Sequence, residues 1–136
     1  MGARADKLLF VHAADKAEKR IVWEKLCEIG RYVIVYEDGH REEASILYGG
    51  NIRVWDRKYA APKTQQYYRH QGYIGTYDCF PYRTGLTGGG TGYTIYGYEW
   101  YNPYPNKRIS HIQKIKNADT DVNTLLFDIQ AIKAYD

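Results

Sequence analysis

Hydrophobic and polar positions alternate along most of this chain in short runs, which is the pattern of strands and not of helices. The clearest run covers residues 93–105, where an aromatic side chain recurs at every second or third position. Because successive side chains of a strand point to opposite faces, the even-numbered residues from Thr94 to Trp100 are predicted to share one face. We assign Trp100 to the core, and we expect the strand to end before Pro103, which cannot donate a ladder hydrogen bond.

Further short runs predict further strands. The pair Asp38-Gly39 follows one of them and predicts a two-residue hairpin turn of the primed type, which requires positive φ angles. The isoleucines of residues 107–115 fall three apart instead of two, which indicates a bulge. The last run is expected to be a mostly buried strand. Besides the run at 93–105, the predicted strands are residues 8–14, 31–36, 41–48, 52–55, 107–115 and 124–132, with a weaker signal near 73–80.

Residues 15–29 fit two kinds of structure. Their apolar positions suit an amphipathic turn or short helix that ends at Gly30, but residues 27–30 suit the beginning of the next strand equally well. Seven or eight short strands without helix–strand alternation are typical of an all-β domain. We therefore predict an antiparallel β-sandwich of jelly-roll type, with one short helix allowed near residues 16–28.

Length, composition and charge limit the class of protein. The 136 residues fit a single domain, residues 1–136, of which we expect residues 1–6 to be a disordered or expression-derived start. Fifteen tyrosines against three phenylalanines favour β structure with polar-edged rings. The chain has a net charge of +3 and contains no block of basic residues, which argues against nucleic acid as a partner. No run of about 18 apolar residues occurs, which argues against a membrane partner.

Three stretches together resemble a known family of accessory modules. They are residues 9–14, residues 30–39 and residues 98–103, the last followed by Ile109 and Ile112. In this order they resemble the galactose-binding-like jelly-roll modules that are attached to bacterial glycoside hydrolases of the β-galactosidase type. The motifs are structural, a hairpin and a strand end, so the resemblance covers most of the chain but assigns no binding residue.

The resemblance implies a non-catalytic, secreted domain, extracellular or periplasmic, that binds polysaccharide or oligosaccharide. It also implies a catalytic glycoside hydrolase domain in the same chain, which the module targets to its substrate. The alternative is a structural accessory domain that packs on the catalytic domain without binding sugar.

Aromatic and hydrogen-bonding side chains concentrate at the start of the loop-rich middle third of the chain, residues 56–92. Sugar rings stack their CH faces on aromatic rings, and their hydroxyls require carboxylate, amide or guanidinium partners. Long ordered loops on a β scaffold commonly carry binding sites, although the rings can equally serve to pin the loops to the sandwich. The predicted ligand-binding residues are Trp55, Asp56, Arg57, Tyr59, Gln66, Tyr67, Tyr68 and Arg69.

Two segments imitate known ligand loops without completing them. Residues 88–92 are glycine-rich, but no Gly-Lys-Ser/Thr follows, and a strand comes next where a phosphate loop needs a helix. Residues 119–123 copy the opening of a calcium loop, but Thr124 and Gln130 stand where such a loop has Gly and Glu. We interpret them as a loop and a turn and predict no cofactor, while a structural calcium elsewhere stays compatible with the sequence.

The sequence contains no recognisable catalytic constellation. The four histidines have no Ser, Cys or carboxylate at a motif spacing, and no Gly-x-Ser-x-Gly elbow is present. Glu99 could form a glycosidase pair only if the fold brought Glu37 or Asp38 to it, and a pair with a neighbouring basic residue is the simpler expectation. Cys27 and Cys79 lack metal-ligand spacing, so no zinc site is predicted, and a disulfide between them stays open. We predict that the chain is not an enzyme.

Overall fold

The part of the chain that the structure describes is all-β, with seven antiparallel strands in two sheets that form a β-sandwich. A computed structural model describes residues 2–19, 27–58 and 79–133. The four-stranded sheet has the order β4-β5-β1-β7 and the three-stranded sheet the order β3-β2-β6. The fold class predicted from the sequence is confirmed, and jelly-roll connectivity stays a prediction. The strands are β1 Lys7–Ala14, β2 Cys27–Tyr36, β3 Arg41–Tyr48, β4 Phe80–Leu86, β5 Gly92–Tyr101, β6 Ile109–Lys116 and β7 Thr124–Ile132.

The core lies between the two sheets, and both sheets contribute to it. Phe10 of β1 stacks on Tyr32 of β2 with their ring centroids 4.0 Å apart and both residues fully buried. Ile34 and Ile46 extend this core across the three-stranded sheet. Aromatic pairs of this geometry stabilise a fold beyond the area that they bury, so the stack ties the two sheets together.

Strand β5 follows the alternation that its sequence predicts. Thr94 and Tyr96 are buried, and Tyr98 and Trp100 pack against the core from the same face. Tyr101, on the opposite face, is 73% exposed. The strand therefore separates a buried set of rings from a solvent-facing set.

The last strand is half-buried or exposed after its first residue, so the prediction of a mostly buried strand is wrong. Of the residues in β7 only Thr124 is buried. The strand lies at the edge of its sheet, and a bulge at Phe127 interrupts its pairing with β1 between His12 and Val11. The bulge predicted in β6 is confirmed, because Ser110 is left between two residues that pair with β2.

Two other expectations are corrected in the described residues. The short helix allowed near residues 16–28 does not form at residues 16–19, and residues 27–28 already belong to β2, while residues 20–26 lie outside the description. The strand expected at 52–55 is reduced to isolated bridges at Ile52 and Val54. Within the described ranges, no helix has the length and apolar character needed to cross a membrane.

Residues 2–6 at the chain start form contacts with both sheets. Ala3 pairs with Ile109 of β6, and the amide of Asp6 donates to the carbonyl of Ile132 in β7 at 2.9 Å. Ala5 between them is 1% exposed. Residues 2–6 therefore cross from the edge of one sheet to the edge of the other.

The β2–β3 hairpin has a three-residue loop and not the two-residue Asp-Gly turn predicted from the sequence. The amide of Gly39 donates to the carbonyl of Tyr36 at 2.9 Å, which places Glu37 and Asp38 at the centre of the turn. Gly39 follows with a φ of 90°, the arrangement that three-residue hairpin loops use. The carboxylate of Asp38 favours this turn, since it accepts a hydrogen bond from the amide of His40 at 3.0 Å.

The substitution Gly39→Val is expected to lower the free energy of unfolding by about 1 kcal/mol or more, because a β-branched residue is strained at positive φ. A Cβ atom at position 39 would meet no atom within 4 Å, so the cost comes from the backbone alone. Chemical denaturation measures it. Gly88→Val is the matched control, since position 88 is equally open and has no positive φ. Equal losses in both variants would contradict the assigned turn.

Candidate functional site

Residues 55–58, which we call the Trp55 corner, are held at one end of the sandwich by backbone hydrogen bonds. The amide of Trp55 donates to the carbonyl of Ala14 at 3.0 Å, and the carbonyl of Trp55 accepts from the amide of Thr94 at 2.8 Å. The Thr94 hydroxyl donates to the carbonyl of Arg57 at 2.8 Å. The corner is therefore fixed between the end of β1 and the beginning of β5, although its own structure is irregular.

The side chains of the Trp55 corner combine an aromatic surface with charged hydrogen-bonding groups. Trp55 is 36% exposed. The carboxylate of Asp56 accepts a hydrogen bond from Nη1 of Arg57 at 2.6 Å, and both side chains are largely open to solvent. Nη1 also donates to the Asp56 carbonyl, and a guanidinium carries five N–H donors in all. The corner can therefore stack on an apolar ring face and exchange hydrogen bonds with hydroxyls.

The remaining predicted ligand-binding residues lie outside the described part of the chain. Trp55, Asp56 and Arg57 are brought together, as their adjacency requires. Whether the other five join them stays a prediction. These five are Tyr59, Gln66, Tyr67, Tyr68 and Arg69.

A second surface with exposed rings covers the outer side of the four-stranded sheet, and we call it the aromatic face. Tyr82 of β4 accepts a hydrogen bond from Nε2 of Gln130 in β7 at 3.2 Å. Because β4 and β7 are opposite edges of the sheet, this pair crosses above β5 and β1. Beneath it, Leu9 and Val11 are almost fully buried. The exposed apolar residues of the aromatic face are Phe80, Tyr82, Tyr101 and Leu125.

Gly97 leaves room for the Phe80 ring to approach the backbone of β5. The two residues are register partners in β4 and β5, and a Cβ atom at position 97 would collide with the Phe80 ring. A glycine in a strand commonly marks such a close approach. The ring thus covers the backbone of β5 and adds to the aromatic face.

Sequence reasoning missed β4 because Pro81 and Gly85 demote its segment to a loop. The strand lies at the edge of its sheet, where a proline is tolerated because one side of the strand needs no ladder partner. The alternation of Phe80 and Tyr82 was the available signal.

Carboxylates that could have formed a glycosidase pair have other partners. Glu99 of β5 forms an ion pair with Lys7 of β1. This agrees with the expectation that Glu99 pairs with a neighbouring basic residue. The hydrogen bond that Lys7 donates to the Glu99 carboxylate raises the pKa of Lys7. Asp38 lies 2.9 Å from the ammonium of Lys107, whose Nζ also stands 4.5 Å from the centroid of the Tyr104 ring. The two carboxylates are each engaged in a separate charged contact.

His12 is buried in the core and is positioned by two hydrogen bonds. Its Nε2 lies 2.8 Å from the carbonyl of Asn51, and its Nδ1 lies 2.7 Å from the Tyr32 hydroxyl. A carbonyl only accepts, so Nε2 carries the proton and Nδ1 accepts from Tyr32. Burial lowers the pKa of His12 to about 4, against a smaller raising effect of the Asn51 carbonyl. The neutral ring is part of the core and not of a surface site.

Residues that could hold a metal or form a disulfide are not assembled in the described ranges. There, no three His, Cys, Asp or Glu side chains converge as metal ligands. Cys27 and Cys79 are both half-buried and are not bonded to each other.

Comparisons of this chain with models of protein families, with curated proteins and with solved structures find no match.

Proposed function

We propose that this chain is a non-catalytic carbohydrate-binding module that holds an attached glycoside hydrolase on its polysaccharide. The observation that carries the proposal is the Trp55 corner, where an exposed indole stands beside the Asp56–Arg57 pair. Carbohydrate recognition requires this combination, since the sugar has apolar faces and polar edges.

The fixed backbone of the corner favours binding. Hydrogen bonds to Ala14 and Thr94 hold Trp55 in place before a ligand arrives, so little conformational entropy remains to be lost on binding. A site at one end of the sandwich suits a chain end or a short motif of a glycan. The proposal requires no cofactor and no catalytic residue.

The resemblance to galactose-binding-like accessory modules supports the same proposal. It places the module in a secreted bacterial enzyme, outside the cell or in the periplasm, with the catalytic domain as its covalent partner. Neither nucleic acid nor a membrane is part of this assignment.

The second candidate is a structural accessory domain that packs on the catalytic domain without binding sugar. The aromatic face is the observation that favours it, because Tyr101 is 73% exposed and Phe80, Tyr82 and Leu125 expose further apolar surface along the same sheet. Exposed apolar patches on a soluble domain commonly mark a protein contact. This candidate expects the melting temperature of the module to rise when it is joined to its catalytic neighbour.

Trp55→Ala is expected to weaken polysaccharide binding several-fold while leaving folding intact. One stacked ring contributes about 1 kcal/mol, and Trp55 lies outside the core cluster. Affinity electrophoresis on a panel of plant, algal and host polysaccharides measures the retention, and Tyr67→Ala and Tyr68→Ala extend the test along the predicted site.

Tyr101→Ala is the matched control for this test, since it removes an exposed ring from the aromatic face. Loss of retention in Tyr101→Ala with normal retention in Trp55→Ala would move the site to the sheet. A wild-type protein that no polysaccharide retains would leave the accessory-domain candidate in its place.

A further inference from the structure

Arginine and lysine side chains from three distant parts of the chain converge on one cleft at the edge of the sandwich. The cleft has a volume of about 520 Å³. Three of its six lining residues are basic, and none of the six is acidic. We call it the basic cleft, and its lining residues are Gly2, Ala3, Arg4, Arg108, Ala131 and Lys133.

The backbone around the basic cleft is held by hydrogen bonds to both sheets. The amide of Gly2 donates to the carbonyl of Ile109 at 2.7 Å, and the amide of Ile109 donates to the carbonyl of Ala3 at 2.8 Å. Arg108 donates from Nη1 to the carbonyl of Gly2 at 2.9 Å, which fixes one arm of its guanidinium. The arginines are therefore attached to an ordered frame and not to a loose chain end.

The three cations of the basic cleft outnumber the acidic side chains that line it and the adjoining hollow. Within the ranges that the structure describes, neither Arg4, Arg108 nor Lys133 forms an ion pair with Asp or Glu. Asp6 lines the adjoining hollow, which also includes Arg4 and Lys133. Like charges that converge on a concave surface repel one another and concentrate positive potential there, and an anion relieves this repulsion.

We propose that the basic cleft binds an oxyanion, a carboxylate or a sulfate group. Guanidinium groups present paired N–H donors that match the oxygens of such groups, and Lys133 adds a third positive charge. Such an oxyanion can come from two sources, an acidic substituent on a polysaccharide or a free inorganic anion.

The basic cleft is separate from the Trp55 corner. Residues 2–6 precede β1, whereas the corner is bonded to Ala14 at the far end of that strand. The length of β1 puts the two sites roughly 25 Å apart at 3.3 Å per residue. The inference therefore does not rest on the proposed sugar site.

Titration of the whole chain with sodium sulfate, followed by NMR, tests the proposal. We expect saturable shifts of the amides of Gly2, Arg4 and Ile109, and at least a several-fold weaker affinity in Arg4→Gln and Lys133→Gln. Arg108→Lys keeps the positive charge but loses the paired N–H donors of the guanidinium, so it is expected to weaken sulfate binding less than Arg108→Gln does.

Arg83→Gln is the matched control, because it removes one exposed positive charge from β4, at the opposite edge of the same sheet. An equal loss of affinity in Arg83→Gln, or the lack of any saturable shift in the wild type, would overturn the proposal.

A second arm compares oligogalacturonate with sulfate. Tighter binding of oligogalacturonate that Lys133→Gln weakens identifies a polysaccharide substituent, and equal or tighter binding of sulfate identifies a free anion. Sulfate contains no sugar, so its result stands even if the Trp55 corner binds no glycan.

Discussion

Trp100→Ala is expected to lower the free energy of unfolding by about 3 kcal/mol or more, as large-to-small substitutions of core aromatics do. Trp100 belongs to the inward face of β5 and packs against the core cluster, with Leu8 of β1 as its register partner. Removal of the indole takes apolar surface out of the core and leaves a cavity between the sheets. Urea denaturation monitored by circular dichroism measures the loss.

The tryptophan of the Trp55 corner provides the comparison for this experiment. Trp55→Ala removes the same side chain from a position that is 36% exposed and outside the core cluster, so we expect a smaller loss of stability than in Trp100→Ala. If Trp100→Ala melted normally but no longer bound polysaccharide, Trp100 would have to be a ligand contact and its assignment to the core would be wrong.

The strands that form the core could be predicted because their pattern is local. The alternation in β5 identifies which rings face inward, and the continuous apolar run of β1 predicts a strand buried on both sides, as its burial confirms. These properties depend on neighbours two residues apart in the same strand. A single sequence contains all of that information.

The errors occur where the partner of a segment decides its structure. β7 has an apolar sequence but lies at a sheet edge, so Leu125 and Phe127 meet solvent while Leu126 and Ile129 pack against the core. The segment that forms β4 contains Pro81, which is acceptable only because the strand has an edge position. Edge and centre are properties of sheet order, and sheet order is set by contacts between distant parts of the chain.

The candidate sites divide in the same way. Trp55, Asp56 and Arg57 are adjacent in sequence, so their residue types alone were sufficient to propose them as a site. The basic cleft assembles Arg4, Arg108 and Lys133 across more than a hundred residues, and no local pattern links them. The sequence contains no run of basic residues, but the absence of such a run could not show that three distant cations meet in one place.

His12 makes the interior of the sandwich sensitive to acid. Its ring is fully buried and neutral, and burial lowers its pKa from the ordinary value of 6.5 to about 4. Protonation would place a charge beside the rings of Tyr32 and Tyr98, which both stack on the imidazole. It would also turn Nδ1 into a donor that faces the Tyr32 hydroxyl, so that the hydroxyl could no longer donate to it.

The free energy of unfolding is therefore expected to fall by about 3 kcal/mol as the pH is lowered from 6.5 to 4. Across this window the unfolded chain binds a proton at His12 and the folded chain does not, so stability rises with pH until about 6.5 and the His12 contribution is then constant. The carboxylates of Asp15 and Asp38 affect the free energy of unfolding at lower pH than His12 does. Burial disfavours the Asp15 carboxylate, but hydrogen bonds from Asn123 outweigh it and lower its pKa, and the amide of His40 with Lys107 lowers that of Asp38.

Urea denaturation at half-unit pH steps between 7 and 4 measures this dependence. In His12→Gln the free energy of unfolding is expected to depend less steeply on pH above pH 4. At pH 7 this variant is expected to be less stable than the wild type, because the Tyr32 hydroxyl or the Asn51 carbonyl loses part of its hydrogen bonding. His111→Gln is the matched control, because it removes a histidine at an exposed position of β6. The assignment to His12 would be contradicted by equal flattening in His111→Gln, or by a His12→Gln protein that keeps the full wild-type slope.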